Sequence, residues 1–288
     1  MTNGVLLFAN NNEQVDYVKQ AVYSAKLIKK HLGCGVAIAS DCADYVRTGF
    51  PDSDIDHVID VDASLTKDAG KKRFRDGTMA EKTLQWKNTN RYSAYDITPF
   101  DQTIVIDTDV LINNDAYNNC WTQPEDFLID NQMVDIHPTR NDHTFKRISD
   151  KSITFYWATA FFFRKSPTTK LFFDTIQHVI DNYDFYRMMY QIIPKKLRND
   201  FAFSIAIHIM NGFKSNDQWP KQMPARMFTT TDCDILHKID GDRYTFFLDK
   251  ENHPGQYTVN SVSGCNLHVM NKFSLGRCID ESEMATNE

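Results

Sequence analysis

The chain has 288 residues, of which 42% are hydrophobic, and its formal net charge at pH 7 is −6. This length and hydrophobic content are sufficient for one large domain with a buried core. The acidic balance argues against a surface built for non-specific nucleic-acid binding, although a local basic patch would still hold phosphates.

Cysteine spacing and hydropathy bear on the cellular compartment. The six cysteines are Cys34, Cys42, Cys120, Cys233, Cys265 and Cys278. They form no CxxC pair and no zinc-ligand spacing, which favours reduced thiols. The apolar run near the first residue is too short for a signal peptide, and no later segment approaches 18 uninterrupted apolar residues. We therefore expect a soluble, cytoplasmic protein that does not insert into a membrane.

The N-terminal half alternates strand patterns with helix patterns. An apolar run at 5–9 is followed by apolar residues at helical spacing between Val15 and Leu32. Further strands are predicted at 36–40, 57–61 and about 102–106. This alternation predicts an α/β fold, with a mostly parallel sheet flanked by helices on both faces.

The second half continues the same domain. A strand is predicted at 158–163, a helix from Pro167 to about Asn182, and another helix from about Asp200 to Met210. The chain is turn-rich from about residue 213 onward. Because no repeat or convincing linker interrupts it, we expect one domain over residues 1–275 with an irregular C-terminal part, followed by a tail at 276–288.

Two aspartates interrupt a buried run in TIVIDTDVLI, residues 103–112. Alternation along a strand would place Asp107 and Asp109 on one side, with Thr108 facing away. Neighbouring carboxylates repel unless a cation or a proton joins them, and Mg²⁺ or Mn²⁺ accepts such oxygen ligands. A D-x-D triplet often merely starts a loop, but charges within an apolar run are costly without a partner. The motif therefore favours a metal site.

The longer run YDITPFDQTIVIDTDVLINND, residues 95–115, resembles the D-x-D region of GT-A-fold glycosyltransferases. It is most similar to the glycogenin-like enzymes of family 8 and to phage-encoded sugar transferases. Element order agrees over roughly residues 4–275, whereas specific matches are confined to short pieces. The resemblance implies a GT-A fold, a nucleotide-sugar donor such as a UDP-sugar, and Mn²⁺ or Mg²⁺ on the two aspartates. It also implies transfer of a hexosyl or pentosyl unit to an acceptor hydroxyl.

The same resemblance implies donor contacts near the ends of the first two strands. Four residues would hold the uridine: Phe8, Ala9, Asn10 and Asn11. Asp41 would contact the base or ribose, and Thr108 would belong to the donor site. The asparagines and Asp41 are equally typical of turns and helix caps, and this alternative stays open.

Basic residues would neutralise the diphosphate. In KKRFRDGTMAEKTLQWK, residues 71–87, Arg73 and Lys82 are the candidates, the latter on a helix-like segment. In NLHVMNK, residues 266–272, His268 would be the third metal ligand and Lys272 would reach the diphosphate, although the spacing departs from the family pattern. The alternatives are a solvated charged face and a hydrogen-bonded core histidine.

Asp200 is the catalytic candidate. The resemblance places an acid here that faces the acceptor or the anomeric centre, whereas the simpler alternative is an acid at the start of a helix. A hydroxymethylated pyrimidine in phage DNA is one acceptor hypothesis, with Lys195, Lys196 and Arg198 as a guiding strip. Host cytoplasm would then be the location. Protein, glycan and small-molecule acceptors stay open.

Two other classes of function compete. The run VIDTDVL also fits the nucleophile motif of haloacid-dehalogenase-like phosphatases, with Asp107 as nucleophile and Asp109 as acid. That family places this strand near the start of its core, whereas about 100 residues precede it here. The second alternative is a non-catalytic protein that binds a nucleotide sugar without turnover.

Overall fold

The chain is described from a computed structural model that covers residues 1–62, 71–75, 81–85, 90–136, 146–150, 152–214, 219–230, 235–250, 253 and 255–286. Its strands are β1 (Asn3–Phe8), β2 (Gly35–Ser40), β3 (His57–Asp60), β4 (Lys71–Arg75), β5 (Glu81–Gln85), β6 (Gln102–Ile106), β7 (Val110–Leu111), β8 (Phe127–Ile129), β9 (Val134–Asp135), β10 (Ala160–Arg164), β11 (Phe228–Thr229), β12 (Ile235–Asp240), β13 (Arg243–Asp249), β14 (Tyr257–Ser263) and β15 (Leu267–His268). Its α-helices are α1 (Tyr17–Leu32), α2 (Ala43–Gly49), α3 (Ala94–Ile97), α4 (Pro167–Asp181), α5 (Tyr183–Met189), α6 (Asn199–Met210) and α7 (Lys272–Thr286). Short 3₁₀ helices span Arg91–Ser93 and Ala116–Thr122.

The central sheet has six strands in the order β3-β2-β1-β6-β10-β8. The first four run parallel, and β10 is antiparallel to both of its neighbours. Val5 of β1 pairs with Val36 of β2 and with Ile104 of β6. All five residues of β6 are buried. The near-continuous apolar strands suit a sheet covered on both faces, and the predicted α/β class is confirmed.

Helices cover the two faces of this sheet with separate apolar clusters. On one face, Val5 and Leu7 belong to the same cluster as residues of α1 such as Val18. On the other face, Leu6 packs in a cluster that includes Phe172 of α4 and Phe203 of α6. The strand alternation of period two therefore divides the core into two layers.

Capping residues fix the ends of the helices that flank the sheet. Asp16 accepts a hydrogen bond from the Lys19 amide at the start of α1, and Gly33 ends that helix with a φ of 62°. Ser166 forms a capping box before Pro167 at the start of α4. Both arrangements follow ordinary helix-end rules, and the predicted start of α4 at Pro167 is confirmed.

A small second sheet positions the C-terminal part beside the central one. Its order is β7-β15-β11-β9, and β15 is antiparallel to β7. A three-stranded antiparallel sheet, β12-β13-β14, follows in the region that its composition marks as turn-rich. Helix α7 runs through residue 275, with Cys278 and Ile279 buried. The division into a domain at 1–275 and a tail at 276–288 stays a prediction.

One local prediction is wrong. The segment expected to be helix-like around Lys82 is instead strand β5, which pairs with β4 as an antiparallel hairpin. The sequence EKTLQ of β5 contains one apolar residue, Leu84, and so carries no clear period; pairing with β4 determines the strand conformation. The described cysteines, Cys34, Cys42, Cys120, Cys265 and Cys278, are free thiols. None of the helices in the described residues combines the length and hydropathy needed to cross a membrane.

Candidate functional site

The two aspartates lie in the turn between β6 and β7, at the carboxyl end of a parallel strand. The Asp107 amide donates to the Thr159 carbonyl at 2.9 Å, and the Val110 amide donates back to the Asp107 carbonyl at 3.0 Å. Asp109 is 2% exposed and Thr108 is 4% exposed. The buried Ser24 hydroxyl of α1 lies 3.0 Å from the Thr108 carbonyl, to which it donates. The turn is therefore fixed against the first helix.

Strand β15 brings His268 to these aspartates. His268 pairs with Val110 across the β7-β15 ladder, and the Val269 amide donates to the Asp109 carbonyl at 2.9 Å. The His268 Nε2 atom lies 3.1 Å from Asp109 Oδ2. One ligand atom from each of Asp107, Asp109 and His268 lies within 4.8 Å of the others. Two carboxylates and an imidazole are a suitable ligand set for a divalent cation such as Mn²⁺.

Two basic side chains contact the same carboxylates. Lys272 Nζ forms an ion pair with Asp109 Oδ2, and Arg91 Nη2 forms an ion pair with Asp107 Oδ1. Arg91 also donates from Nη1 to the Ala158 carbonyl. Burial lowers the pKa of Arg91 to about 10, and the nearby negative charge of Asp200 opposes that shift. Arg91 is therefore still positively charged at neutral pH.

Asp200 is held in one orientation at the start of α6. Its Oδ1 atom accepts from the Ala158 amide at 3.0 Å, and its Oδ2 atom accepts from Arg198 Nη2 at 2.6 Å. The Arg198 guanidinium lies over the rings of Phe155 and Phe201, at 5.7 and 5.4 Å from their centroids. Arg198 occupies the N-cap position without a side-chain cap bond. The Asp200 carboxylate thus bonds outside its helix instead of capping it.

The segment before β10 connects these acids and bases. The Ala158 amide donates to Asp200, and the Ala158 carbonyl accepts from Arg91. The next carbonyl, that of Thr159, accepts from the Asp107 amide. Arg91 and Asp200 are therefore tied to the D-x-D turn through backbone groups. Sequence reasoning missed Arg91, because a single arginine in a polar stretch carries no periodic signal.

The predicted uridine contacts occupy two kinds of position. Asn10 is 6% exposed, and its Oδ1 atom accepts from the Asp41 amide at 3.1 Å, which joins the ends of β1 and β2. The Asn10 Nδ2 donor has no hydrogen-bond partner among the described residues. Asn11 instead accepts from the Val18 amide and donates to Asp16, both at 2.9 Å. Asn10 thus retains a free donor, whereas the Asn11 side chain supports α1.

Other candidates keep the status of predictions. Phe8 and Ala9 are buried at the end of β1, and Asp41 is half-buried. Arg73 and Lys82 lie on β4 and β5, where Arg73 pairs with Thr83 in the ladder. The side chains of Arg73 and Lys82 lie outside the described part of the structure. Their proposed contact with a diphosphate is therefore untested.

Comparisons with known proteins give remote likenesses. No family model matches the chain, and no curated protein matches it. It is similar to the galactosyltransferase LgtC in complex with donor and acceptor sugar analogs, at 12% identity, with 70% of each chain covered and a TM-score of 0.42. It is also similar to the glycosyltransferase GlyE of Streptococcus pneumoniae TIGR4, at 10% identity over 80% of this chain and 46% of that chain, with a TM-score of 0.38.

A third similar structure is of a protein with a different proposed activity. It is a putative glucose-1-phosphate thymidylyltransferase from Bacillus anthracis in complex with a sucrose. The identity is 12%, the coverage is 77% of this chain and 99% of that chain, and the TM-score is 0.35. At this distance the similarities do not assign an activity.

Proposed function

We propose that the chain is a metal-dependent glycosyltransferase of the GT-A type, which transfers a sugar from a nucleotide-sugar donor to an acceptor hydroxyl. The observation that carries the proposal is the convergence of Asp107, Asp109 and His268, with ligand atoms within 4.8 Å of one another. These residues lie beside the carboxyl end of β6, which is where open α/β sheets bind ligands. The donor diphosphate would bind at the same edge.

Each side chain of the site has a distinct part in this proposal. Asp107, Asp109 and His268 would hold the divalent cation, which supplies positive charge to the diphosphate when it is bound. Arg91 and Lys272 would add fixed positive charge where the leaving group becomes more negative. These cations lie within a largely buried site, with Arg91 5% exposed, so their charge is weakly screened by solvent.

Asp200 is proposed to stabilise positive charge at the anomeric carbon. Glycosyl transfer passes through an oxocarbenium-like state, which a nearby carboxylate stabilises. Both Asp200 oxygens already accept hydrogen bonds, one from Ala158 and the other from Arg198. These bonds fix the orientation of the carboxylate. We therefore propose that Asp200 acts as a positioned negative charge.

The more specific parts of the proposal rest on the resemblance of residues 95–115 to the D-x-D region of GT-A-fold glycosyltransferases. They are a UDP-sugar donor with Asn10 near the base, a hexosyl or pentosyl unit, and Mn²⁺ or Mg²⁺ as the metal. A hydroxymethylated pyrimidine in phage DNA, modified in the host cytoplasm, is the acceptor that we propose to test first. Lys195, which is exposed, belongs with Lys196 and Arg198 to the basic strip that we propose would contact the phosphate backbone.

The phosphatase alternative receives less support from the geometry. One oxygen of the nucleophile that a phosphatase would require, Asp107 Oδ1, is paired with the buried Arg91 guanidinium. The late acids Asp240 and Asp242 are exposed at the β12-β13 hairpin, which belongs to a different sheet from the D-x-D turn. They are therefore poor candidates for the acidic pair that such a phosphatase requires.

A donor screen tests the proposed function. The parent protein and Asp109→Asn are incubated with a panel of nucleotide sugars and Mn²⁺, and the released nucleoside diphosphate is measured. We expect release from one donor by the parent and its loss in the variant, with circular dichroism showing an intact fold. Equal release from both proteins would reject the metal role of Asp109. Donor binding without any release, with or without acceptors, would instead favour a non-catalytic binding protein.

A further inference from the structure

The two strands that bring His268 to Asp109 are very short. β7 and β15 have two residues each, so their antiparallel ladder consists of two residue pairs. Leu267 pairs with Leu111 in this register, and both are fully buried. Successive side chains of a strand point to opposite sides, so a one-residue shift of β15 would turn His268 away from Asp109. Two residue pairs provide few hydrogen bonds with which to specify the register.

A buried polar network joins the chain after β7 to the chain before β15. The Asn113 amide donates to Asn266 Oδ1 at 3.0 Å, and Asn113 Nδ2 donates to the Cys265 carbonyl at 2.9 Å. The Tyr244 hydroxyl of β13 donates to Asn113 Oδ1 at 2.7 Å. The same hydroxyl also bonds Tyr23 of α1. The Asn113 side chain is therefore held by groups from two other strands of the fold.

A shifted register would leave members of this network without partners. Tyr244 is 0% exposed, Asn266 is 1% exposed and Asn113 is 4% exposed. A one-residue shift of β15 would carry the Asn266 side chain away from the Asn113 amide. Buried polar groups that lose their hydrogen-bond partners are costly, because no water replaces the partner. The network thus disfavours the register in which His268 would face away from Asp109.

We propose that Asn113, Asn266 and Tyr244 are positioning residues for the metal site, which act through His268. They fix β15 against β7 in the register that holds the imidazole beside Asp109. Asn113 lies four residues after Asp109 in the sequence, so one short stretch of chain supplies both a carboxylate and the amide that selects its partner strand. The role of His268 as a metal ligand rests on the proposed function, whereas the fixed register does not.

The test compares Tyr244→Phe with the parent by two measurements. Phenylalanine keeps the ring, which belongs to the same apolar cluster as Leu111 and Leu267, and removes only the hydroxyl. The first measurement needs no metal. It is hydrogen exchange of the Val269 amide, which donates to the Asp109 carbonyl at 2.9 Å, relative to amides of the buried strand β6. This relative exchange is expected to be at least about tenfold faster in the variant, because the ladder opens locally.

The second measurement is the affinity for Mn²⁺, obtained from electron paramagnetic resonance of the free ion. It is expected to fall by at least about tenfold in Tyr244→Phe, because groups that orient a metal ligand contribute about this much to affinity. The matched control is Tyr190→Phe, which removes another buried tyrosine hydroxyl, 2.8 Å from His208 Nδ1. The control is expected to match the parent in both measurements, even with a lowered melting temperature.

A second variant breaks the network at its other end. Asn266→Ala removes the acceptor of the Asn113 amide without altering Tyr244, and it is expected to change both measurements in the same direction. It also decides the case if Tyr244→Phe does not fold. An unchanged value of either measurement in the folded variants overturns the proposal. Failure of the parent to bind Mn²⁺ overturns the proposed function instead, and hydrogen exchange alone then decides whether the network fixes the register.

Discussion

Asp130 is expected to make the free energy of unfolding fall as the pH rises. Replacing Asp130 with asparagine is expected to abolish this pH dependence. Asp130 follows β8 and is 6% exposed. One of its oxygens accepts from the Met223 amide at 3.1 Å, and the other, Oδ2, has no hydrogen-bond partner among the described residues. Burial raises the pKa of Asp130 from the usual 3.8 to about 7. The folded protein therefore keeps this carboxyl neutral over a range in which the unfolded chain ionises it.

The sign and size of the effect follow from proton linkage. Between about pH 4 and pH 7 the folded state binds the Asp130 proton more tightly than the unfolded state, so the free energy of unfolding falls as the pH rises. A shift of about three pKa units corresponds to roughly 4 kcal/mol at about 1.4 kcal/mol per unit. This contribution is fully present near pH 4 and is lost by about pH 7. An asparagine side chain at position 130 does not titrate, so the variant does not lose stability through this group as the pH rises.

The free energy of unfolding of the parent and of Asp130→Asn is measured by urea denaturation at pH 4.5 and pH 8. The effect is the change between the two pH values in the variant minus the same change in the parent. The variant is expected to gain stability relative to the parent by a few kcal/mol between the two pH values. Asp52→Asn, at an exposed position, controls for a general change of charge and is expected to show no such gain. A relative gain near zero for Asp130→Asn would refute the claim that this carboxyl is held neutral by burial.

Three further substitutions test the fold and the site. Gly4→Ala is expected to cost about 1–3 kcal/mol of stability in urea denaturation, because a Cβ there would lie 2.3 Å from the Phe100 ring; an unchanged midpoint would contradict the close approach. Asp200→Asn keeps the side-chain size but removes the charge and one of the two oxygens that accept from Ala158 and Arg198. It is expected to lower kcat by about 10²–10³ with little change in KM for the donor; an unchanged kcat would remove Asp200 from the mechanism. Ser24→Ala is expected to cost about 1–3 kcal/mol of stability and to weaken Mn²⁺ binding, because its buried hydroxyl supports the D-x-D turn; unaltered Mn²⁺ affinity would show that the turn does not need it.

Local patterns were sufficient to predict most of the central sheet and its helices. The strand before Asp107 and the helix that begins at Pro167 are marked by continuous apolar runs and by cap residues, which act over a few neighbouring positions. The pair Asp107 and Asp109 stood out because charge within a buried run requires a partner. Each of these features can be recognised from a single short stretch of the sequence.

The partners of those aspartates could not be recognised from local patterns: His268 and Lys272 were named through the family resemblance, and Arg91 was not named. His268 and Asp109 are 159 residues apart in sequence, and only the pairing of β15 with β7 brings them together. Arg91 pairs with Asp107 and also donates to the Ala158 carbonyl, which is 67 residues away in sequence. Residue type and spacing cannot specify such contacts, which depend on tertiary packing. The resemblance named Arg73, Lys82 and Lys272 as the basic residues near the diphosphate, and the structure brings Lys272 and the unpredicted Arg91 to the two aspartates.

Anomalous diffraction at the manganese edge tests the central claim most directly. Crystals grown with Mn²⁺ and UDP are expected to show one strong peak bonded at roughly 2.0–2.3 Å to Asp107, Asp109 and His268, with the diphosphate on its open side. A diphosphate bound elsewhere, or aspartates that keep Arg91 and Lys272 as their partners with the manganese absent from the turn, would contradict the account.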